Sequence, residues 1–287
     1  MHVKNTIQPP KDILIHPRNV NFNFTDDTPY EWHKNPNVAF LLNAVSIFLP
    51  NGEKFFMDSV RHYKNTITDP VLKGQLLGFL AQEALHKREH ERANLEMVKK
   101  NKSMTIIEKS AYLFLKVSSI LPARTQLAIT CALEHFFALF ANALLTDIEG
   151  FIENTHPAFG QLWLWHAVEE TEHKAVCYDV YQAVAGGKLG YVERCIVMLC
   201  TTFVFSILLI FGIFFSIVFQ KKPKNSLQKT KMDNTKQVKK KWAGLFTNLF
   251  LKIIKPYSAY FVPGFHPWQY DNSHYIREWK LSHGSKY

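Results

Sequence analysis

The chain has 287 residues, of which 47% are apolar and 14% aromatic, with 23 phenylalanines. That suffices for one large domain, or a domain and an appendage, with a sizeable core, and the phenylalanine content favours an apolar cavity or a lipid contact. The formal net charge is +10, but nine lysines fall between Lys221 and Lys241, so the remaining body is close to neutral and the charge does not argue for nucleic acid.

Residues 1–35 read as an irregular arm. Pro9-Pro10, Pro17-Arg18-Asn19 and Asp26-Asp27 are turn formers, and the aromatic residues between them can pin the arm to a surface. The stretch Met1–Asn37 is polar and has no apolar signal-peptide core, so a cytoplasmic body is expected. Four cysteines, at 131, 177, 195 and 200, form no Cys-x-x-Cys pair and lie in apolar surroundings, which predicts buried free thiols in a reducing compartment.

A helix is expected over Val38–Leu49, ending before Pro50-Asn51-Gly52, and a new one from Glu53 to about Asn65. Thr66–Pro70 is a break in which Thr68 or Asp69 caps the next helix and Pro70 suits its first turn. That helix runs from about Val71 to Lys99, with Leu72, Leu76, Leu77, Leu80 and Ala84 as its expected buried stripe. A connecting helix follows over Met104–Ile120. Two more long helices are expected over Ala123–Ile148 and, opened by Pro157, up to about Val184.

Within these helices Glu83 and His86 are three residues apart, and Glu170 and His173 repeat the spacing, so each pair leaves one helical face. Glu53 lies 13 residues before Thr66, and Glu83 lies 14 after Asp69; at ~1.5 Å per residue both stand roughly 20 Å from the turn. Glu134 precedes Gly150 by 16 residues and Glu170 follows Pro157 by 13, so these two also meet near one level. Four carboxylates and two imidazoles on four helices describe a two-metal site in a four-helix bundle. The predicted ligands are Glu53, Glu83, His86, Glu134, Glu170 and His173, a donor set that suits two ions of Fe, Mn or Zn. His90 and His166 are candidates for further ligands, proton relays or supporting hydrogen bonds, and Glu169 is a candidate replacement for Glu170. Glu89 and Glu91 are expected to face solvent or to pair with Lys87 and Arg88.

The strings Phe79-Leu80-Ala81-Gln82-Glu83…His86…His90, Ala132-Leu133-Glu134-His135 and Trp165–Val176 resemble the bacterial family described as predicted metal-dependent hydrolases. So do Leu49–Phe56 and the tail Phe261–Trp268. The resemblance spans about residues 15 to 280 and implies an all-α, ferritin-like four-helix bundle with a di-metal site. With iron, such a ligand set implies O2-dependent oxidation and an electron donor; with zinc or manganese, it implies hydrolysis by an activated water. A non-catalytic metal-binding membrane protein is the third reading.

Cys195–Phe219 is 25 residues without a charge, long enough to cross a bilayer. A single span would carry the lysines outward, against the positive-inside tendency, so a helix that dips and returns is expected, with Trp242–Val262 as an amphipathic interfacial piece. The organisation is then an arm (1–35), a di-metal bundle (36–190), an apolar membrane-associated helix (191–220), a lysine-rich linker (221–241) that meets anionic lipids, and an amphipathic helix with an aromatic tail (242–287). The expected location is the cytoplasmic face of the inner membrane, and the expected substrate is hydrophobic or lipid-like.

Overall fold

The computed structural model describes residues 9–219 and 235–283. Its regular structure there is helical: α1 (Pro36–Arg61), α2 (Pro70–Lys100), α3 (Met104–Ser118), α4 (Ala123–Leu145), α5 (Ile148–Glu153), α6 (Pro157–His173), α7 (Val176–Ala185), α8 (Lys188–Val218), α9 (Thr235–Ala259) and α10 (Ser273–His283). The bundle that forms the core pairs α1 with α2 and α4 with α6 and α7, while α2 closes against α6 and α7. The lysine-rich linker lies outside the described residues up to residue 234.

The break expected at Pro50 does not occur: α1 runs through it. A proline inside a helix lacks the N–H that would bond the carbonyl four residues back, here that of Ser46. The side chain of Asn94 on α2 supplies the missing donor, its Nδ2 standing 2.8 Å from Ser46 O. The Ser46 hydroxyl donates in return to Asn94 Oδ1 at 2.6 Å. A long-range contact therefore repairs a local defect that the sequence alone could only read as a stop.

The N-cap of α2 is as expected, Asp69 accepting from Leu72 N at 2.7 Å. Its buried stripe is so in part: Leu76 is buried and Leu72 and Leu80 pack half-buried against the core. Leu77 and Ala84 are exposed, and the buried positions include Leu76, Phe79, Glu83, His86, His90, Ala93 and Met97. These recur at alternating steps of three and four, the spacing of a seam between packed helices. The apolar members occupy the two ends and the ionisable ones the middle. A stripe chosen by apolarity misses the middle of such a face, because the buried positions there are polar.

The fourth long helix is also divided. α6 ends at His173, and α7 starts at Val176. Lys174, between them, is buried, donates to Tyr270 O and Asn272 Oδ1 at 2.7 Å each, and lies 3.9 Å from the Trp268 ring. The aromatic tail thus captures the chain immediately after the last predicted ligand.

The arm lies across the bundle. Ile13, Val20, Phe22 and Trp32 are buried, and Trp32 stacks on Phe159 with ring centroids 4.6 Å apart. Gly78 on α2 allows this approach, since a Cβ there would stand 2.6 Å from Ile15 O. Helix α8 packs along α1 and α4, and Gly212 lets it close, a Cβ there meeting Ala44 Cβ at 3.0 Å. By length and composition α4 and α8 could each cross a bilayer, but α4 is 78% buried over its most apolar stretch and α8 only 22%, which makes α4 a core helix. Of the four cysteines, Cys131 and Cys177 are buried, Cys195 is half-buried and Cys200 is exposed; all are free thiols.

If Asn94 compensates for Pro50, Asn94→Leu should cost about 1–3 kcal/mol of stability by leaving Ser46 O unbonded. Denaturant titration should show a smaller cost in a Pro50→Ala background, where the helix supplies its own donor. Equal costs in both backgrounds would contradict the repair.

Candidate metal centre

α1 delivers Glu53, α2 delivers Glu83 and His86, α4 delivers Glu134, and α6 delivers Glu170 and His173. All six are buried, none more than 2% exposed. Donor atoms of Glu83, His86, Glu170 and His173 lie within 4.8 Å of one another, as do those of Glu53, His86 and His166. The two sets share His86. Glu134 joins through His173, its Oε2 standing 3.2 Å from Nδ1. Further spacings are 3.3 Å from His173 Nε2 to Glu83 Oε1, and 3.8 Å from His86 Nδ1 to both Glu83 Oε1 and Glu170 Oε1. Two donors bonded to one ion at ~2.0–2.2 Å stand roughly 3–4 Å apart, so the spacings at His173 Nε2 and His86 Nδ1 suit neighbouring ligands, while His173 Nδ1 is hydrogen-bonded to Glu134.

The hydrogen-bond inventory bears on the same point. Both carboxylate oxygens of Glu53 and of Glu83 lack a hydrogen-bond partner, as do Glu134 Oε1, Glu170 Oε2, His86 Nδ1 and His173 Nε2. Unsatisfied buried polar atoms are rare in folded proteins, and each costs roughly 1–3 kcal/mol or more when charged. Eight of them turned into one spot of the interior fit a cluster of cations.

The histidine tautomers agree. His86 Nε2 stands 3.1 Å from Glu169 Oε2, so Nε2–H donates and Nδ1 carries a lone pair into the centre. His166 is fixed by a longer chain. The Ser46 hydroxyl already donates to Asn94 Oδ1, so it accepts from His90 Nδ1 at 2.8 Å. His90 Nε2 then accepts from His166 Nδ1 at 3.2 Å. This leaves His166 Nε2 as a lone pair 3.1 Å from Glu170 Oε1. A lone pair facing a carboxylate oxygen is repulsive unless a cation or proton lies between them. The geometry therefore groups His166 with the ligand set and leaves His90 behind it as the group that orients its ring.

Burial is the main cause that holds the Glu53 and Glu83 carboxyls well above the ordinary carboxylate range, with Glu170 and Glu134 adding repulsion. Burial likewise raises Glu134 to about 7, with Glu170 adding to the rise and His173 opposing it. Burial alone would lower His173, but the carboxylates of Glu170 and Glu134 outweigh it and hold the imidazolium to about 9. His86 and His90 are pushed well below their usual value by burial, which keeps them neutral.

A ring of further contacts holds these ligands. Glu169 accepts from Arg18 Nη1 at 2.8 Å and from Trp165 Nε1 at 3.0 Å, and it supports His86 rather than entering the centre. Glu172 accepts two bonds from Arg18, at 2.6 and 2.9 Å, and one from Gln82 Nε2 at 2.8 Å. Glu89 does not face solvent but is fully buried; it pairs with Arg88, as the alternative expectation had it, and with Arg92, and accepts from Phe22 N at 3.1 Å. Glu91 is exposed and pairs with Lys87. Arg18 has no counterpart in the sequence reading. It sits in the irregular arm, 151 residues from Glu169, and no local pattern connects them.

The sequence pattern of the predicted metal-dependent hydrolases matches residues 16–271. The chain belongs to that family. Comparison with curated proteins and with solved structures gave no match. The match covers the arm from His16 onward, all four ligand-bearing helices and the tail through Asp271.

The pKa shifts set a sign for pH dependence. A group whose folded pKa is raised stabilises the fold fully below its unfolded value and loses that contribution as pH rises through the folded one. For Glu134 the window runs from 4.5 to about 7, and for His173 from 6.5 to about 9. The metal-free protein should therefore lose stability as pH rises across these windows, more shallowly in Glu134→Gln. Metals need the deprotonated ligands, so the gain in Tm on adding metal should grow over the same range. Metal-free stability that rises there, or an unchanged slope in Glu134→Gln, would contradict this electrostatic picture.

Proposed function

We propose that the protein is a membrane-associated di-metal enzyme that acts on an apolar substrate. Glu53, Glu83, His86, Glu134, Glu170 and His173 hold the two ions, and His166 joins them as a third imidazole. The observation that carries this reading is the convergence of unpartnered buried donors in the bundle interior, with His166 linking them to a cavity. That cavity has a volume of about 420 Å³, within the usual ~300–1,000 Å³ of small-molecule sites. It is bounded by α1, α4, α5, α6 and α9 and reaches His166.

Bound iron would supply oxidation of a C–H bond by O2, with electrons from a donor, and bound zinc or manganese would supply hydrolysis by an activated water. The chain's own part is the same in both cases. Glu169 and His90 fix the rings of His86 and His166, Arg18 pairs with Glu169 and Glu172 behind them, and Val45, Phe137 and Trp163 wall the inner cavity against water. We read the reaction as O2-dependent oxidation, because the donor set is rich in carboxylates and the cavity beside it is apolar. The family's own description favours the hydrolytic reading.

Membrane association rests on α8 and α9. α8 exposes Ile196, Leu199, Phe203, Ile210 and Phe214 along one side, and α9 exposes Phe246, Phe250, Leu251 and Ile254. Contiguous exposed apolar surface of this kind marks an interaction face. The lysine-rich segment between the two helices in sequence suits the anionic surface of a cytoplasmic leaflet.

Anaerobically purified protein should carry two metal ions per chain, and Glu134→Ala should lose at least one. Iron with an O2-dependent absorption change supports oxidation, whereas tightly held zinc with no response to O2 rejects it in favour of hydrolysis. In flotation assays the protein should rise with vesicles containing anionic lipid, and less so in high salt. Protein that stays unbound with every vesicle composition would remove the membrane from this account.

A further inference from the structure

The cavity above the metal centre changes character along its length. At the inner end its walls are Val45, Phe137, Trp163 and Ala167, all buried, beside His166. At the outer end stand Asn248 and Lys252 of α9 and Asp147 after α4, all exposed. The rest of the lining is mainly apolar, including Leu42 on α1 and Phe140 and Leu144 on α4, with His33 and Asn154 as its polar members.

Helix α9 closes this space. Leu245 and Leu249 turn inward and pack with Leu41, Ala44 and Ile213, while Phe246, Phe250 and Leu251 point outward. The helix therefore lays apolar side chains over the cavity while Asn248 and Lys252 mark its mouth. The Lys252 ammonium donates to Ala143 O at 3.2 Å and to Thr146 Oγ1 at 2.8 Å. An ammonium has three N–H donors, so one is left for a ligand at the mouth. The two neutral acceptors fix its position and do not cancel its charge. Asp147 is the opposing charge at the same mouth.

We propose that this cavity binds a single-chain fatty carboxylate, its head group on Lys252 and its chain running inward to end beside His166. The proposal rests on the reading of the metal centre as one that acts on an apolar chain, and it names that chain's head and direction. A chain held in this way presents its far methylenes, and not its carboxylate, to the ligand set. The head stays at the lipid-facing mouth, where such a chain would arrive.

The test is displacement of cis-parinaric acid from the metal-loaded full-length protein by palmitate or by hexadecanol, with metal content measured on each sample. Palmitate should displace the probe from the wild type. Lys252→Glu should weaken palmitate on the order of tenfold, the scale of one charge-assisted hydrogen bond, and leave hexadecanol within about twofold. Asp147→Asn should tighten palmitate. Leu144→Trp on α4, and independently Leu42→Trp on α1, should weaken both ligands by filling the space their chains occupy. Equal effects of Lys252→Glu on acid and alcohol would overturn the head-group assignment. Retained binding in both tryptophan variants would overturn the cavity as the chain's site. Metal content separates the two readings: a protein that binds palmitate as described but holds no metal defeats the proposed function and not this site. A metal-loaded protein that binds neither ligand defeats this site alone.

Discussion

Four glutamates and three histidines meet in the interior of a helical bundle with too few hydrogen bonds among them. That shortage is the constraint on which the rest of the structure depends. Carboxylates taken out of water without partners cost several kcal/mol each or become protonated, and Glu53 has no internal donor at all. The buried glutamates that surround the centre are bonded instead. Glu169, Glu172 and Glu89 are each buried and each accept at least three hydrogen bonds or ion pairs. The contrast between satisfied carboxylates around the centre and unsatisfied ones within it is what a site built for cations requires.

Much of the fold serves to hold the donors in place. Pro50 interrupts the hydrogen bonding of α1, Asn94 repairs it, and the same Ser46 that takes part in the repair sets the tautomer of His90, and through it that of His166. The arm contributes Arg18 against Glu169 and Glu172, and the tail adds Lys280 at 3.3 Å from Glu172 and Trp279, whose ring lies 4.9 Å from the Arg18 guanidinium. Segments that read as irregular appendages in the sequence therefore support the second layer of the centre.

The helical bundle and the convergence of the six donors were legible because both depend on local spacing: i, i+3 pairs on one face, and equal distances from turns that Asp69, Pro70 and Pro157 mark plainly. What was not legible depends on contacts between distant residues. The continuity of α1 needs Asn94, the end of α6 at His173 coincides with the tail's hold on Lys174, and the burial of Glu89 needs the arm's Phe22 N–H together with Arg92. Part of the α2 stripe was misjudged for a different reason. Its face toward the core is polar where it meets the centre, so apolarity pointed to Leu77 and Ala84 on the wrong side. The cavity under α9 had no sequence signature beyond amphipathicity, since its walls come from five separate helices and the arm.

The central claim is that the unpartnered donors are ligands of two neighbouring ions. X-ray absorption at the edge of whichever metal the purified protein carries tests it most directly. The account predicts a first shell of oxygen and nitrogen only, imidazole scattering that falls in His166→Ala, and a metal–metal vector at about 3.5–4 Å. A sulfur-containing shell, or a single ion with no metal neighbour and a spectrum indifferent to His166, would contradict it.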